Sequence, residues 1–287
     1  MRSSYKTGFV TPIEYEEAIF KIADEIKCVN DKKPERFQRL MYTNRGNINI
    51  LSPFPVPEDG LEPKNPLIVG LGDSVTAGKF ESTFTTPEEF QAHIKKMTSG
   101  TIGENDIGEV SDIGNSYLTK FWQAVADFYQ NTALSVVNSG IAGDNVMGML
   151  KRLDRDVIRY QPDLVTINPA LNWDEHMGIC EVFASHLDKI VERIKNETDA
   201  DIILMTPNLM IAPRPEMENH VCTLEERVAV IRDLAVKYDT SLADTYAVWK
   251  EYEKQGYPVK PMLANGFNHP SEAGHRLFAK VLMKVVE

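Results

Sequence analysis

From residue 66 onward the apolar positions of this 287-residue chain alternate between two patterns. Short apolar runs occupy 67–71, 134–137, 164–167, 202–205 and 242–243. They lack the in-out alternation of a half-exposed sheet and so predict strands buried on both faces, as in a parallel sheet. The intervening segments carry apolar residues every three or four positions, which predicts helices. These lie at 117–129 (Leu118, Phe121, Trp122, Val125 and Phe128), at about 145–160 behind Asp144 or Asn145 as cap, and at 179–194, 224–238 and 270–286. Strand and helix alternating at this spacing make right-handed βαβ units. The expected fold is a three-layer α/β/α domain around a flavodoxin-like parallel sheet of about five strands.

Two regions depart from that rhythm. Residues 1–65 read as an N-terminal helical and extended arm, with helices expected over 12–26, behind Thr11 as cap, and over 36–41. A connector rich in Pro, Asn and Gly follows over 44–66. The arm is expected to pack on the domain or on a second copy, which makes a homo-oligomer one reading. Residues 66–287 form the main domain, interrupted at about 83–116 by an insertion: a helix over 87–97, then a Gly-rich loop over 99–116. An insertion at the carboxyl side of a sheet walls the site, so this one is where substrate choice is expected.

Composition narrows the function classes. A formal net charge of −11 is wrong for nucleic acid or an anionic membrane surface as a main partner. No apolar run is long enough to span a bilayer. Cys28, Cys180 and Cys222 are odd in number, far apart and without zinc-ligand spacing. They predict unpaired thiols, no metal and a cytoplasmic setting. The start of the chain carries no apolar signal core.

The chemistry centres on Gly72-Asp73-Ser74, where the first apolar run stops and a helical pattern begins. The carboxyl ends of parallel strands border the ligand crevice. A serine on that turn suits a nucleophile, and the turn also suits a phosphate. A nucleophile needs a base, and His269, in the polar loop ahead of the last helix, is expected at the same end of the sheet. His275 lies six residues further, ~600° around a helix, and is expected to be structural. So are His93, His176, His186 and His220, which lack ligand spacing. Asp73 is expected to hold the turn through backbone hydrogen bonds. Gly70-x-Gly72 lacks the third glycine of a dinucleotide fingerprint and the Gly-Lys-Ser/Thr of a P-loop.

Gly72-Asp73-Ser74 with Ala77-Gly78 resembles the first block of the GDSL, or SGNH, hydrolases, a family of esterases and lipases. Asn138-Ser-Gly-Ile-Ala-Gly143-Asp144 is similar to the second block and the segment 163–172 to the third. His269-Pro270 with Gly274-His275 is similar to the fifth. The resemblance implies Ser74 as nucleophile, His269 as base, and an oxyanion hole from Ser74 N–H, Gly143 N–H and the Asn172 side chain. It implies no cofactor. Two departures stand out. Ala170 and Trp173 replace the usual Gly and Asp of the third block, and Gly266 stands where the fifth block has its acid. Asn265, Asp244 or a backbone carbonyl is left to orient His269. The expectation is a serine-dependent ester hydrolase acting through an acyl-enzyme on small, short-acyl esters such as acetyl esters, carbohydrate esters among them. The alternative is a ligand-binding protein on the same scaffold with impaired catalysis.

Overall fold

A computed structural model describes residues 12–27, 30–44, 65–84, 86–101, 103, 108–130, 133–212 and 219–287. Thr11, Cys28 and nearly all of the expected connector lie outside them. The chain enters through α1 (Ile13–Glu25) and α2 (Glu35–Asn44). No side chain caps α1 at its start; its stripe Ile19, Ile22 and Ala23 is buried in the core instead. Packing, more than propensity, holds such a helix. Arg276 grips Glu16 through two 2.6 Å bonds, and Lys284 Nζ donates to the Ile26 carbonyl at 2.9 Å, just past the helix end. α2 buries Phe37, Leu40 and Met41, and the Phe37 N–H donates to Asp201 Oδ2 at 2.8 Å.

The central sheet joins β1 (Leu67–Gly72), β4 (Ser135–Gly140), β5 (Leu164–Asn168), β6 (Asp201–Met205) and β7 (Ser241–Ala243). Its order is β4-β1-β5-β6-β7, every pairing parallel. That is the flavodoxin-like order, and the direction of winding reverses at β1, which pairs with β4 on one side and β5 on the other. Alternate β1 residues feed two cores. Ile68 packs with α5 (Tyr117–Phe128), α10 (Thr245–Lys254), α11 (Glu272–Val286) and the arm. Val69 and Leu71 pack with the short α6 (Val146–Lys151) and α7 (Leu153–Asp156), and with α8 (Cys180–Glu197) and α9 (Leu224–Lys237). A Cβ on Gly70 would lie 2.5 Å from Leu118 Cδ2, so α5 sits directly on the strand. No described helix is long and apolar enough to cross a membrane.

Several expectations change. The helix after Ser74, α3 (Ser74–Ala77), is a single turn that gives way to β2 (Lys79–Ser82). β2 pairs antiparallel with β3 (Glu109–Asp112) in a stretch expected to be loop. Four-residue strands carry too little periodicity to register against their surroundings. α4 (Pro87–Thr98) lies between them. β4 continues past the apolar run at 134–137 through Asn138-Ser139-Gly140, because that segment pairs with Gly70–Gly72 of β1. The single helix expected over 145–160 is broken at Arg152 and Val157 into α6, α7 and a 3-10 turn. α10 follows β7 directly, capped by Asp244.

Candidate active site

β1 delivers the nucleophile turn. Asp73 caps α3, its Oδ1 accepting from the Val75 N–H at 2.9 Å, and is wholly buried. Burial pushes its carboxyl up to about 7, partly opposed by that bond. The N–H of a first-turn residue such as Ser74 has no partner within its own helix. The Gly72 carbonyl, just before the turn, accepts from Arg152 Nη2 at 2.9 Å and from the Ile141 N–H at 3.2 Å. Arg152 reaches further: to the Ser139 carbonyl at 2.8 Å, Asp144 at 2.6 Å and Asp156 at 2.8 Å. One buried guanidinium therefore ties the ends of β1 and β4 to the loop that carries Gly143. Nothing in the sequence marks Arg152, because all these partners converge only in the fold.

Gly143 has φ +74, a left-handed conformation that suits glycine, in a turn closed by Asp144 N–H to the Ile141 carbonyl at 3.1 Å. After β5, Asn172 Nδ2 donates to the Asp144 carbonyl at 2.9 Å, so the second and third blocks meet there. One of its two amide hydrogens is used by that bond. Ala170 is fully buried and is not among the positive-φ residues, so alanine fits this backbone. Its carbonyl accepts from Arg227 Nε at 2.8 Å, and Arg227 Nη1 donates to the Cys222 carbonyl. Burial lowers the Arg227 guanidinium to about 10. Trp173 packs edge-on against Phe183 and donates to the Gly178 carbonyl at 3.0 Å. It belongs to the loop's packing.

The same segment carries a correction. Cys180 and Cys222 form a disulfide, with Cα atoms 4.9 Å apart across 42 residues of sequence. Spacing alone could not show that the start of α8 and the approach to α9 adjoin. The expectation of unpaired thiols fails, and with it the premise of the cytoplasmic reading, since such bonds persist in oxidising surroundings.

His269 lies in a turn closed by Ala264 N–H to its carbonyl at 2.7 Å and by Ser271 N–H to the Met262 carbonyl at 2.8 Å. The segment after β6 supports the turn. Asn208 Nδ2 donates to the Asn268 carbonyl at 2.9 Å, and the Ile211 N–H to that of Phe267 at 2.8 Å. His269 Nε2 sits 2.8 Å from Ser74 Oγ. Phe80, on β2, stacks on the imidazole at 5.0 Å and 22°. Burial draws the His269 pKa down to about 4. Asn265 Nδ2 lies 2.8 Å from His269 Nδ1. Asp244 is engaged elsewhere: it caps α10, pairs with Arg232 and accepts from Thr206 Oγ1 at 2.9 Å. His275 is wholly buried, its Nδ1 accepting from the Tyr117 N–H at 3.1 Å. Among the described residues no three His, Cys, Asp or Glu side chains gather as a metal site requires.

A serine hydroxyl beside a ring nitrogen, at the carboxyl end of β1 where the sheet's winding reverses, is an arrangement suited to acyl transfer. Comparison with known proteins leads the same way. The sequence profile of the GDSL-like Lipase/Acylhydrolase family matches residues 71–277. An acetylxylan esterase of Geobacillus stearothermophilus is 28% identical over 193 residues, covering 64% of this chain and 85% of that protein. The crystal structure of an acetylxylan esterase from the same organism aligns with a TM-score of 0.54 at 24% identity, over 77% of this chain and 94% of that one. Catalytic mutants of that esterase with a serine or an aspartate replaced by alanine have also been solved. An α/β hydrolase from the metagenome of Lake Arreo aligns with a TM-score of 0.55 at 22% identity, over 77% and 94% of the two chains.

Proposed function

The chain belongs to the GDSL-like lipase/acylhydrolase family of ester hydrolases, and from that premise we propose that it cleaves short acyl esters of carbohydrates, acetyl esters first, through an acyl-enzyme on Ser74. The observation that carries the mechanism is the 2.8 Å approach of His269 Nε2 to Ser74 Oγ at the β1 end. Ser74 attacks the ester carbonyl carbon as its proton passes to His269, which then protonates the departing alcohol. Water, activated by the same imidazole, releases the acid. The Ser74 N–H, the Gly143 N–H and the Asn172 amide stabilise the oxyanion, each donor contributing roughly 3 kcal/mol to the barrier. Asn265 orients His269. No step requires a metal or an organic cofactor.

The acyl preference is supported by the acetylxylan esterase relative. That protein has a serine and an aspartate whose replacement gives catalytic mutants. In this chain we assign the nucleophile to Ser74, and the side chain beside His269 Nδ1 is an amide, Asn265, at 2.8 Å. The test is turnover of p-nitrophenyl acetate, its octanoyl analogue and acetylated xylo-oligosaccharides, with fluorophosphonate labelling of wild type and S74A. The expected result is labelling that depends on Ser74 and acetyl turnover well above octanoyl turnover. An unlabelled wild type that turns over none of the three would leave the ligand-binding alternative and end the esterase mechanism. Octanoyl preference would overturn the substrate class alone.

A further inference from the structure

The oddity of this site is the group at His269 Nδ1, and its hydrogen bonds fix more than ring orientation. Asn265 Oδ1 accepts three backbone N–H groups, from Phe267 at 3.0 Å, Asn268 at 3.0 Å and His269 at 3.1 Å. Turning the amide over would aim its NH2 at three donors, so the oxygen's place is determined by the turn. The opposite side of the amide is therefore Nδ2, which donates to Asn268 Oδ1 at 2.9 Å and faces His269 Nδ1 at 2.8 Å. An amide nitrogen has donors and no acceptor to offer, so Nδ1 must be the acceptor. A neutral imidazole that accepts at Nδ1 carries its proton on Nε2, and that N–H is the group 2.8 Å from Ser74 Oγ.

We propose that Asn265 is a positioning residue that holds His269 in the Nε2–H tautomer, so that the resting site is restrained and an aspartate at 265 would release it. The inference rests on the assignment of Ser74 as nucleophile and His269 as base. A general base must have Nε2 bare to take the serine proton, and the imidazolium formed then bears hydrogens on both nitrogens. In this site the first condition requires the amide to leave its three backbone donors. The second sets an N–H at Nδ1 against an N–H of Asn265. Both raise the barrier while leaving the ground-state geometry undisturbed.

The charges around the ring agree. Ser74 from α3, Phe80 from β2 and Asn265 from its own turn face it, Asn268 lies behind Asn265, and none of the four is charged. His275, on α11, is the titratable neighbour coupled to it, and burial holds that residue at about 3, so it is neutral near pH 7. With no carboxylate opposite Nδ1, burial leaves the His269 pKa near 4.

The wild-type protein with ring-¹⁵N histidine, assigned against H269A, gives the direct test. Long-range ¹H–¹⁵N NMR at pH 7 should show Nε2 protonated and Nδ1 bare; the reverse overturns the proposal. This measurement stands even if a variant misfolds. N265D keeps one oxygen for the backbone N–H groups and offers the other to Nδ1–H. It should reverse the tautomer and raise kcat by roughly 10²–10⁴-fold, up to the size of the loss when an orienting acid becomes an amide. The acid limb of kcat/KM should move up from about pH 4, by roughly one to three units, because an opposite charge now favours the imidazolium. The limb reads the charge placed beside Nδ1, whereas an Asn265 that does not set the tautomer would leave wild-type Nδ1 protonated in the NMR spectrum. A folded N265D with unchanged or lower kcat overturns the proposal, and inactive S74A and H269A would then keep the esterase mechanism standing. An active S74A would instead sink the mechanism, with the NMR still deciding the tautomer.

Discussion

Replacing Arg152 by methionine removes the charge at the junction of β1, β4 and the Gly143 loop while keeping most of the side chain's length. The Arg152 side chain is 8% exposed, and its partners Asp144 and Asp156 are 12% and 13% exposed. Asp156 keeps Arg155, which bonds it at 2.6 and 2.8 Å. Asp144 loses the salt-bridge partner it has among the described residues, and the carbonyls of Gly72 and Ser139 each lose a charged donor. A buried ion pair contributes little net stability, but stripping one member from it costs about 3–5 kcal/mol, because the other charge stays buried. For a chain of this size that is a fall in Tm of roughly 5–8 °C. Turnover should fall about 100-fold, since the Gly72 carbonyl anchors the Ser74 turn and ångström displacements of catalytic groups cost that much. The assay is thermal and urea denaturation by circular dichroism on wild type, R152M, D144N and R152M/D144N, with p-nitrophenyl acetate turnover on each. The double variant should regain most of the lost stability, because its orphaned group is neutral. If R152M costs under about 1 kcal/mol, or the double variant is no more stable than R152M, the buried-charge reasoning is wrong. If stability falls while turnover holds, the anchoring role fails.

Two further perturbations address the same turn. A Cβ at Gly140 would lie 2.1 Å from Ala77 N and 2.6 Å from Ala77 Cα. G140A must push α3 away from β4, costing roughly 1–3 kcal/mol and, by displacing Ser74 from His269, about 100-fold in kcat; unaltered kcat would show that the turn tolerates the shift. Burial raises Asp73 to about 7 from 3.8, so the folded protein holds a proton that the unfolded chain releases between those values. That contribution to stability is complete at low pH and is lost as pH rises toward 7, by up to roughly 4 kcal/mol. D73N should lack this decline, so pH profiles of denaturation that run parallel for the two proteins would contradict it.

Much of the architecture was legible along the chain because its signals are local. A run such as Leu164–Ile167, apolar at three of its four positions, reads as a strand buried on both faces, and the helical spacing of Leu118, Phe121 and Val125 specifies a buried face. Such periods, repeated in order, imply the parallel sheet, and the sheet places Ser74 and His269 at one end although 195 residues separate them. What the chain could not display were relations between segments whose local pattern is weak. β2 and β3 are four residues each and acquire meaning only by pairing with each other and setting Phe80 over the imidazole. Cys180 and Cys222 looked solitary until α8 and α9 brought them together. Arg152 looks like any helix-end arginine, and its role depends on carbonyls from two strands. Asn265 was legible as one of three groups that could face His269. The direction of its amide, and hence the site of the imidazole proton, was decided by three backbone N–H groups that converge on one oxygen only when the turn closes.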